Sequence, residues 1–314
     1  MQGVAQTIIS IITAFLSIFT LLIGAGEQHT GTDELELVGT QKYVFLDALA
    51  AGSQGVTTDG EYFYCSGSIA DFRLAVLSKI DMRTGRIVSR VWDAIPQEFK
   101  KLAYDHIGDI GYANGLLYCS LENLDDNADH LVVVYDTELN YTGKYAYMRG
   151  YAIGEAEGAA LPAQERPEAG QFLCDGIPWC AADEANGRLY CSRYKGADRI
   201  YVYDLATLAH LYDLPLVGTQ PLDRLQGGDV FGGYLYLNVD HADEDGAKNK
   251  IVGRVDLTTG EYTQLFVRPA FGFTEWESEG LTVYEKDGET YITIGDYDRT
   301  VACYLHTYRI VNHE

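Results

Sequence analysis

A chain of 314 residues, 47% of them hydrophobic, can bury a large core either as one all-β domain or as two smaller units. Twenty-four Tyr and 33 Gly against seven Pro suit many short strands joined by tight turns, because aromatics fit a pleated surface and glycine supplies positive φ. With 23 basic and 46 acidic residues the net charge is −23, which excludes nucleic acid as a natural partner and disfavours an anionic membrane surface.

Residues 1–26 carry no charged side chain, and Ile8 to Ile23 is apolar apart from Ser10, Thr13, Ser17 and Thr20. This segment is expected to be a signal peptide or a membrane anchor, with small residues at Gly24 and Gly26 where a signal peptidase would cut. The acidic stretch behind it, with Glu27, Asp33, Glu34 and Glu36, is expected outside the cytoplasm. Residues 27–40 then read as a linker and 41–314 as the domain. The protein is expected to be secreted or held by its N-terminal segment, and to be a monomer.

Along the chain, five turn dipeptides recur: Asp59-Gly60, Asn114-Gly115, Asn186-Gly187, Gly232-Gly233 and Asp287-Gly288. Each is followed by a Tyr in an apolar run (Tyr64, Tyr118, Tyr190, Tyr236 and Tyr291), the pattern of a β-hairpin feeding a strand. Downstream of four of them an apolar run ends in Asp, at Asp81, Asp136, Asp204 and Asp256, and leads to Thr and often Gly. The turn glycines are 55, 72, 46 and 55 residues apart and the aspartates 55, 68 and 52 apart, so one unit of roughly 50 residues repeats, with an insertion between the second and third units.

Four short strands fill such a unit, which predicts an all-β, five-bladed β-propeller with four-stranded antiparallel blades. The second hairpin resembles the "YD-x-x-T-G" outer hairpin of secreted propeller repeat proteins, over about residues 41–314. That resemblance implies the architecture and no particular activity. The fifth unit ends one strand short, so Tyr43-Val44-Phe45-Leu46, which has no other partner, is expected to complete the last blade and close the ring. The insertion, roughly Ala146 to Phe172 with Pro162 and Pro167, is expected to be a long loop lying over the channel as a lid.

Cys65, Cys119 and Cys191 each follow a Tyr and precede a Ser in matching strands of different units, too far apart to bridge, so they read as small buried hydrophobes. Cys174 and Cys180 share one loop region and can pair.

In a propeller, positions just before the first hairpin of every unit converge on the channel mouth. Here they offer Gln54, His106, Asp109, Trp179, Gln226, Asp229, Glu277 and Glu279. Of these, Gln54, Trp179, Gln226, Asp229 and Glu277 are candidates for ligand binding, and Glu279, His106 and Asp109 for catalysis. Glu277 and Glu279 alternate onto one strand face with no Arg or Lys among these positions, so a cation held by Glu277, Glu279 and Asp109 is expected to balance them. Calcium suits such hard oxygen ligands. Two acid-rich loops offer more, at Glu122 to Asp129 and Asp240 to Asp245.

Nucleotide-binding, serine-hydrolase and H-E-x-x-H motifs are absent. Glycosidases with five blades use channel carboxylates, a role that Asp109, Asp229 and Glu279 suit, but the first unit presents Gln54 where an acid is expected. The expected function is therefore an exported recognition domain for a small polar or carbohydrate ligand. The alternative is a metal-assisted hydrolase of phosphoesters, lactones or glycosides with Glu279 or His106 as general base.

Overall fold

The computed structural model describes residues 28–29, 33–51, 53–69, 74–122, 130–148, 177–242, 248–268, 276–298 and 302–312. Two strands, β1 (Gln28–His29) and β2 (Asp33–Val44), precede the repeats. The first blade contains β3 (Gly55–Thr58), β4 (Tyr62–Ile69), β5 (Leu74–Asp81) and β6 (Ile87–Val91). The second contains β7 (His106–Ala113), β8 (Leu116–Glu122), β9 (Leu131–Asp136) and β10 (Tyr141–Tyr147). In the third are β11 (Cys180–Asp183), β12 (Arg188–Cys191), β13 (Arg199–Asp204) and β14 (His210–Pro215). The fourth comprises β15 (Leu225–Phe231), β16 (Tyr234–Ala242), β17 (Lys248–Asp256) and β18 (Tyr262–Arg268), with β1 added at its outer edge. In the fifth, β19 (Trp276–Lys286), β20 (Glu289–Asp298) and β21 (Ala302–Asn312) are completed by β2.

All pairings within the blades are antiparallel, and the inner strands contact one another in the cyclic order β3, β7, β11, β15, β19 and back to β3. The molecule is thus a five-bladed β-propeller, as the repeat predicts. Hydrophobic residues form five clusters, one at each junction between neighbouring blades. A middle strand is therefore covered on both faces. That is why β8, with Leu117 to Glu122 all buried, shows no alternation of apolar and polar residues.

All five expected turns lie between first and second strands. At Asn114-Gly115, Gly232-Gly233 and Asp287-Gly288 both residues have φ between 52° and 84°, the two-residue hairpin geometry that Asn, Asp and Gly favour. In the outer hairpins the aspartates cap turn N–H groups. Asp81 Oδ1 accepts from Thr84 N–H (2.7 Å) and Thr84 Oγ1 (2.8 Å), and Asp204 Oδ1 binds Thr207 in the same way at 2.8 Å each. Asp256 takes Thr258 and Thr259 N–H at 2.7 and 2.9 Å. In the second unit Asn140 N–H fills that place (2.8 Å to Asp136), and Thr142-Gly143 falls inside β10.

The ring closes through β2 and β21, paired from Asp33↔Asn312 to Val44↔Ala302. This strand begins ten residues earlier than Tyr43 and stops before Phe45. The polar stretch expected as linker is an outermost strand: Leu35 faces the core, Glu36 takes Arg309 on its open side, and the strand matches β21 in length. Phe45, at φ 54°, turns the chain into a 3-10 helix, Phe45–Ala50. Cys65, Cys119, Cys180, Cys191 and Cys303 are buried free thiols, and Cys180 Sγ donates to the Tyr118 carbonyl (3.1 Å). Cys174, the lid of residues 146–172 beyond Met148, and the N-terminal segment lie outside the described residues. Among the described residues no helix is long and apolar enough to cross a membrane.

Candidate functional site: the channel mouth

The inner strands start at Gly55, His106, Cys180, Leu225 and Trp276, and these starts define one end of the central channel. Below them the axis is filled. Asp109, fully buried on β7, accepts the N–H of Val56 from the first blade (2.9 Å), that of Gly228 from the fourth (3.0 Å) and that of Ile110 (2.9 Å). Its own N–H donates to the Pro178 carbonyl of the third blade (2.7 Å). Inner strands come so close here that only glycine fits. A Cβ on Gly55 would lie 2.5 Å from Asp109 Cα, one on Gly227 2.6 Å from its Oδ2, and one on Gly280 would overlap its Oδ1. Burial pushes the Asp109 carboxyl well above the usual range, while the three N–H donors oppose that rise.

Asp229 performs the same task at the next junction. Its Oδ2 accepts Thr282 Oγ1 (2.7 Å) and Val283 N–H (2.8 Å) from β19, and its Oδ1 accepts Val230 N–H (2.8 Å). Burial raises it to about 6 against those donors. Both aspartates thus tie blades together, with their oxygens occupied by the chain.

Three side chains meet at the mouth itself, two of them candidates from the sequence. His106 begins β7, is nine-tenths buried, and its Nδ1 finds no hydrogen-bond partner. Burial lowers it to about 4, so the ring is neutral near pH 7, and the nearby charge of Glu277 partly opposes that shift. Glu277, partly exposed at the start of β19, has Oε1 3.6 Å from Arg224 Nη2. Arg224 stands immediately before β15 with φ 57°, its guanidinium 5.9 Å from the centre of the Tyr194 ring. Arg224 is not among the positions that the repeat singles out; its signal in the sequence is a basic residue two places ahead of Gln226.

That arginine supplies the charge compensation for which a cation was expected. Glu277 and Glu279 do not share a continuous strand face, because β19 shifts register between Ser278 and Leu281, leaving Glu279 almost fully buried beneath the mouth. Asp109 is saturated by N–H donors, and Glu277 faces Arg224. Among the described residues no group of three or more His, Cys, Asp or Glu could hold a metal. Residues 123–129 and 243–247 of the acid-rich loops lie outside the described residues.

The other candidates sit elsewhere. Trp179 is wholly buried between the third and fourth blades, its ring close against Gly228, so its side chain packs the core. Gln54 is half-buried, and its backbone accepts Gly280 N–H (3.0 Å) across the closure seam. Gln226 is half-buried at a register shift in β15. Beside the mouth, at the junction of the fourth and fifth blades, the buried Asp296 carboxylate binds both Arg268 and His306 Nδ1 (2.6 Å), and Arg268 donates to Ser278 Oγ (3.0 Å). On the second blade, buried His130 accepts Ile177 N–H at Nδ1 (3.3 Å).

No protein-family model matches the chain, and no curated protein matches it in sequence. Among solved structures it is similar to a β-xylosidase at 12% identity over 87% of this chain and 95% of that one, with a TM-score of 0.51. It is similar to a GH43 β-1,3-galactosidase bound to galactodeoxynojirimycin (11% identity, 82% and 89% covered, TM-score 0.53). A third is the exo-β-1,3-galactanase of Phanerochaete chrysosporium with β-1,3-galactotriose (12% identity, 86% and 64% covered, TM-score 0.53). At such identity the likeness shows the shared five-bladed fold.

Proposed function

We propose that this propeller is an exported recognition domain that binds a polar carbohydrate at its channel mouth without cleaving it. The observation that carries the reading is the division of labour among the channel's charged groups. Arg224, Glu277 and the neutral His106 ring meet at the mouth from three inner-strand starts, while Asp109 and Asp229 are spent on backbone N–H groups beneath them. Sugar hydroxyls are recognised by paired donors and acceptors of this kind with an aromatic face beside them, and Tyr194 supplies that face.

Glycoside hydrolysis asks for two carboxylates flanking the scissile bond, one as acid and one as base or nucleophile. Asp109 and Asp229 already accept hydrogen bonds from the chain, and Glu277 lies 3.6 Å from Arg224. The kinship of fold with xylosidases and galactosidases supports the ligand class; the occupied aspartates argue against the reaction.

Calorimetric titration with xylo- and β-1,3-galacto-oligosaccharides tests the proposal. Arg224→Ala should weaken binding about 10-fold or more, the loss expected when a buried polar contact worth about 1–3 kcal/mol goes. Equal affinity in wild type and Arg224→Ala would move the ligand away from the mouth. Turnover of either sugar, lost in Glu277→Gln, would favour the hydrolase instead.

A further inference from the structure

The mouth end of the ring also carries an apolar ridge and the point where the N-terminal segment joins the domain. Register lines show this. Trp276 pairs with Asp298, Asp298 with Ala302 and Ala302 with Val44, so β2 finishes at the mouth end of the fifth blade. Gly55 pairs with Ser66, Ser66 with Leu77 and Leu77 with Val91, which puts the end of β6 on the same side. In the fourth blade Leu225 leads through Val239, Ile251 and Val267 to Gln28, so the chain enters the domain there too.

Directly after β2, Phe45 and Leu46 are 68% and 65% exposed, two successive large apolar side chains in open solvent. Phe45 holds a left-handed backbone, φ 54°, a conformation that costs a bulky residue free energy and that glycine would adopt without strain. Asp47 in the same 3-10 helix pairs with Arg90 (2.7 Å), whose guanidinium lies 4.7 Å from the centre of the Trp92 ring. Trp92 and Leu102, 38% and 55% exposed, lie in the connection from Val91 to His106, both of whose ends are at the mouth. The ridge thus spans the outer rim of the fifth, first and second blades.

The geometry points to this ridge as a docking surface for a zwitterionic lipid bilayer, with Phe45 and Leu46 entering the headgroup boundary and the channel mouth facing the membrane. The argument rests on the length and placement of chain ahead of the fold. The uncharged segment of residues 1–26, mostly apolar from Ile8 to Ile23, approaches the length that spans a bilayer, and only Gly24 to Glu27 separate Ile23 from Gln28 at the mouth end. A segment anchored there cannot hold the ring far from the surface, and the side it presents first is the one that carries exposed aromatic and aliphatic groups. The charge of −23 sets the lipid class, because an anionic surface would repel the domain. The inference rests on retention of the N-terminal segment and deepens the proposed function: the ligand would be met at a membrane surface.

The test uses the full chain with phosphatidylcholine vesicles. A nitroxide is attached at Leu46→Cys and, as reference, at Glu61→Cys in the exposed turn at the opposite end. Docking predicts that position 46 relaxes several-fold more with lipid-soluble oxygen than with an aqueous nickel chelate, and position 61 the reverse. Phe45→Ser/Leu46→Ser with the label at Trp92→Cys should abolish the lipid signal at position 92 without lowering Tm. A chain that floats with the vesicles while position 46 stays as aqueous as position 61 overturns the docking alone. A chain that fails to float overturns the anchor and the docking together. Shielding of position 46 from both relaxers before lipid is added would assign the ridge to the chain's own apolar segment and overturn the bilayer as its occupant.

Discussion

Asp109 is where four blades meet through one residue: its carboxylate reaches the first and fourth, its N–H the third, and its own strand belongs to the second. A buried donor stripped of its acceptor costs about 1–3 kcal/mol, so Asp109→Ala, which strands three N–H groups, should destabilise by at least about 3 kcal/mol in chemical denaturation. Asp109→Asn keeps one oxygen and should lie between. Stability within error of wild type in both would deny the axial role. The Gly108-Asp109 and Gly228-Asp229 dipeptides make this role legible in hindsight, since a carboxylate beside a residue too small to block the axis suits capping across it.

His106 and His130 make stability depend on pH. Each is held near 4 by burial, below the ordinary histidine value of 6.5. Between these values the unfolded chain binds protons that the folded chain does not, so both histidines withdraw stability as pH falls from about 6.5 to 4. Asp229 acts oppositely over part of that window: raised from 3.8 to about 6, it returns stability as pH falls between them. Asp109, which burial also raises, works with Asp229, so the histidine share is read as a difference: from pH 7 to pH 5 the wild type should lose more Tm, or gain less, than His106→Gln/His130→Gln. An identical pH slope in the two proteins would exclude these rings as a source.

At the level of elements, the closure strand and the capped hairpins account for how separate units become one ring. Residues 33–44 supply the entire outer partner of β21, and Arg309 binds Glu36 on one side and Glu289 (2.7 Å) on the other. Deleting residues 1–44 should leave an open edge eleven residues long and no cooperative thermal transition; a deletion that melts as wild type would refute closure. The exposed hairpin aspartates matter less. Asp81→Ala or Asp256→Ala should lower Tm only slightly, because solvent can replace the lost acceptor for those turn N–H groups.

Turn residues declared themselves in the sequence because Asn-Gly and Gly-Gly satisfy a local backbone demand that no distant contact is needed to specify. The closing strand was legible in kind and not in extent, since an outer strand with one solvent-facing edge reads as a polar linker. Site residues were harder. Gln54, His106, Asp109, Gln226, Asp229, Glu277 and Glu279 are all brought to the channel, yet the depth that separates buried Glu279 from half-buried Glu277 depends on a register shift that leaves no local signature.

For the molecule as a whole, the aspartates fill the axis beneath the inner-strand starts where Arg224, Glu277 and His106 meet. On the reading proposed above, that arrangement holds a ligand without hydrolysing it. The most direct test is equilibrium dialysis of the wild-type protein against xylo- and β-1,3-galacto-oligosaccharides, followed by chromatography of the sugar recovered from the protein. The account predicts retained sugar of unchanged length, with retention lost in Arg224→Ala. Recovery of shortened sugar, suppressed in Glu277→Gln, would contradict it.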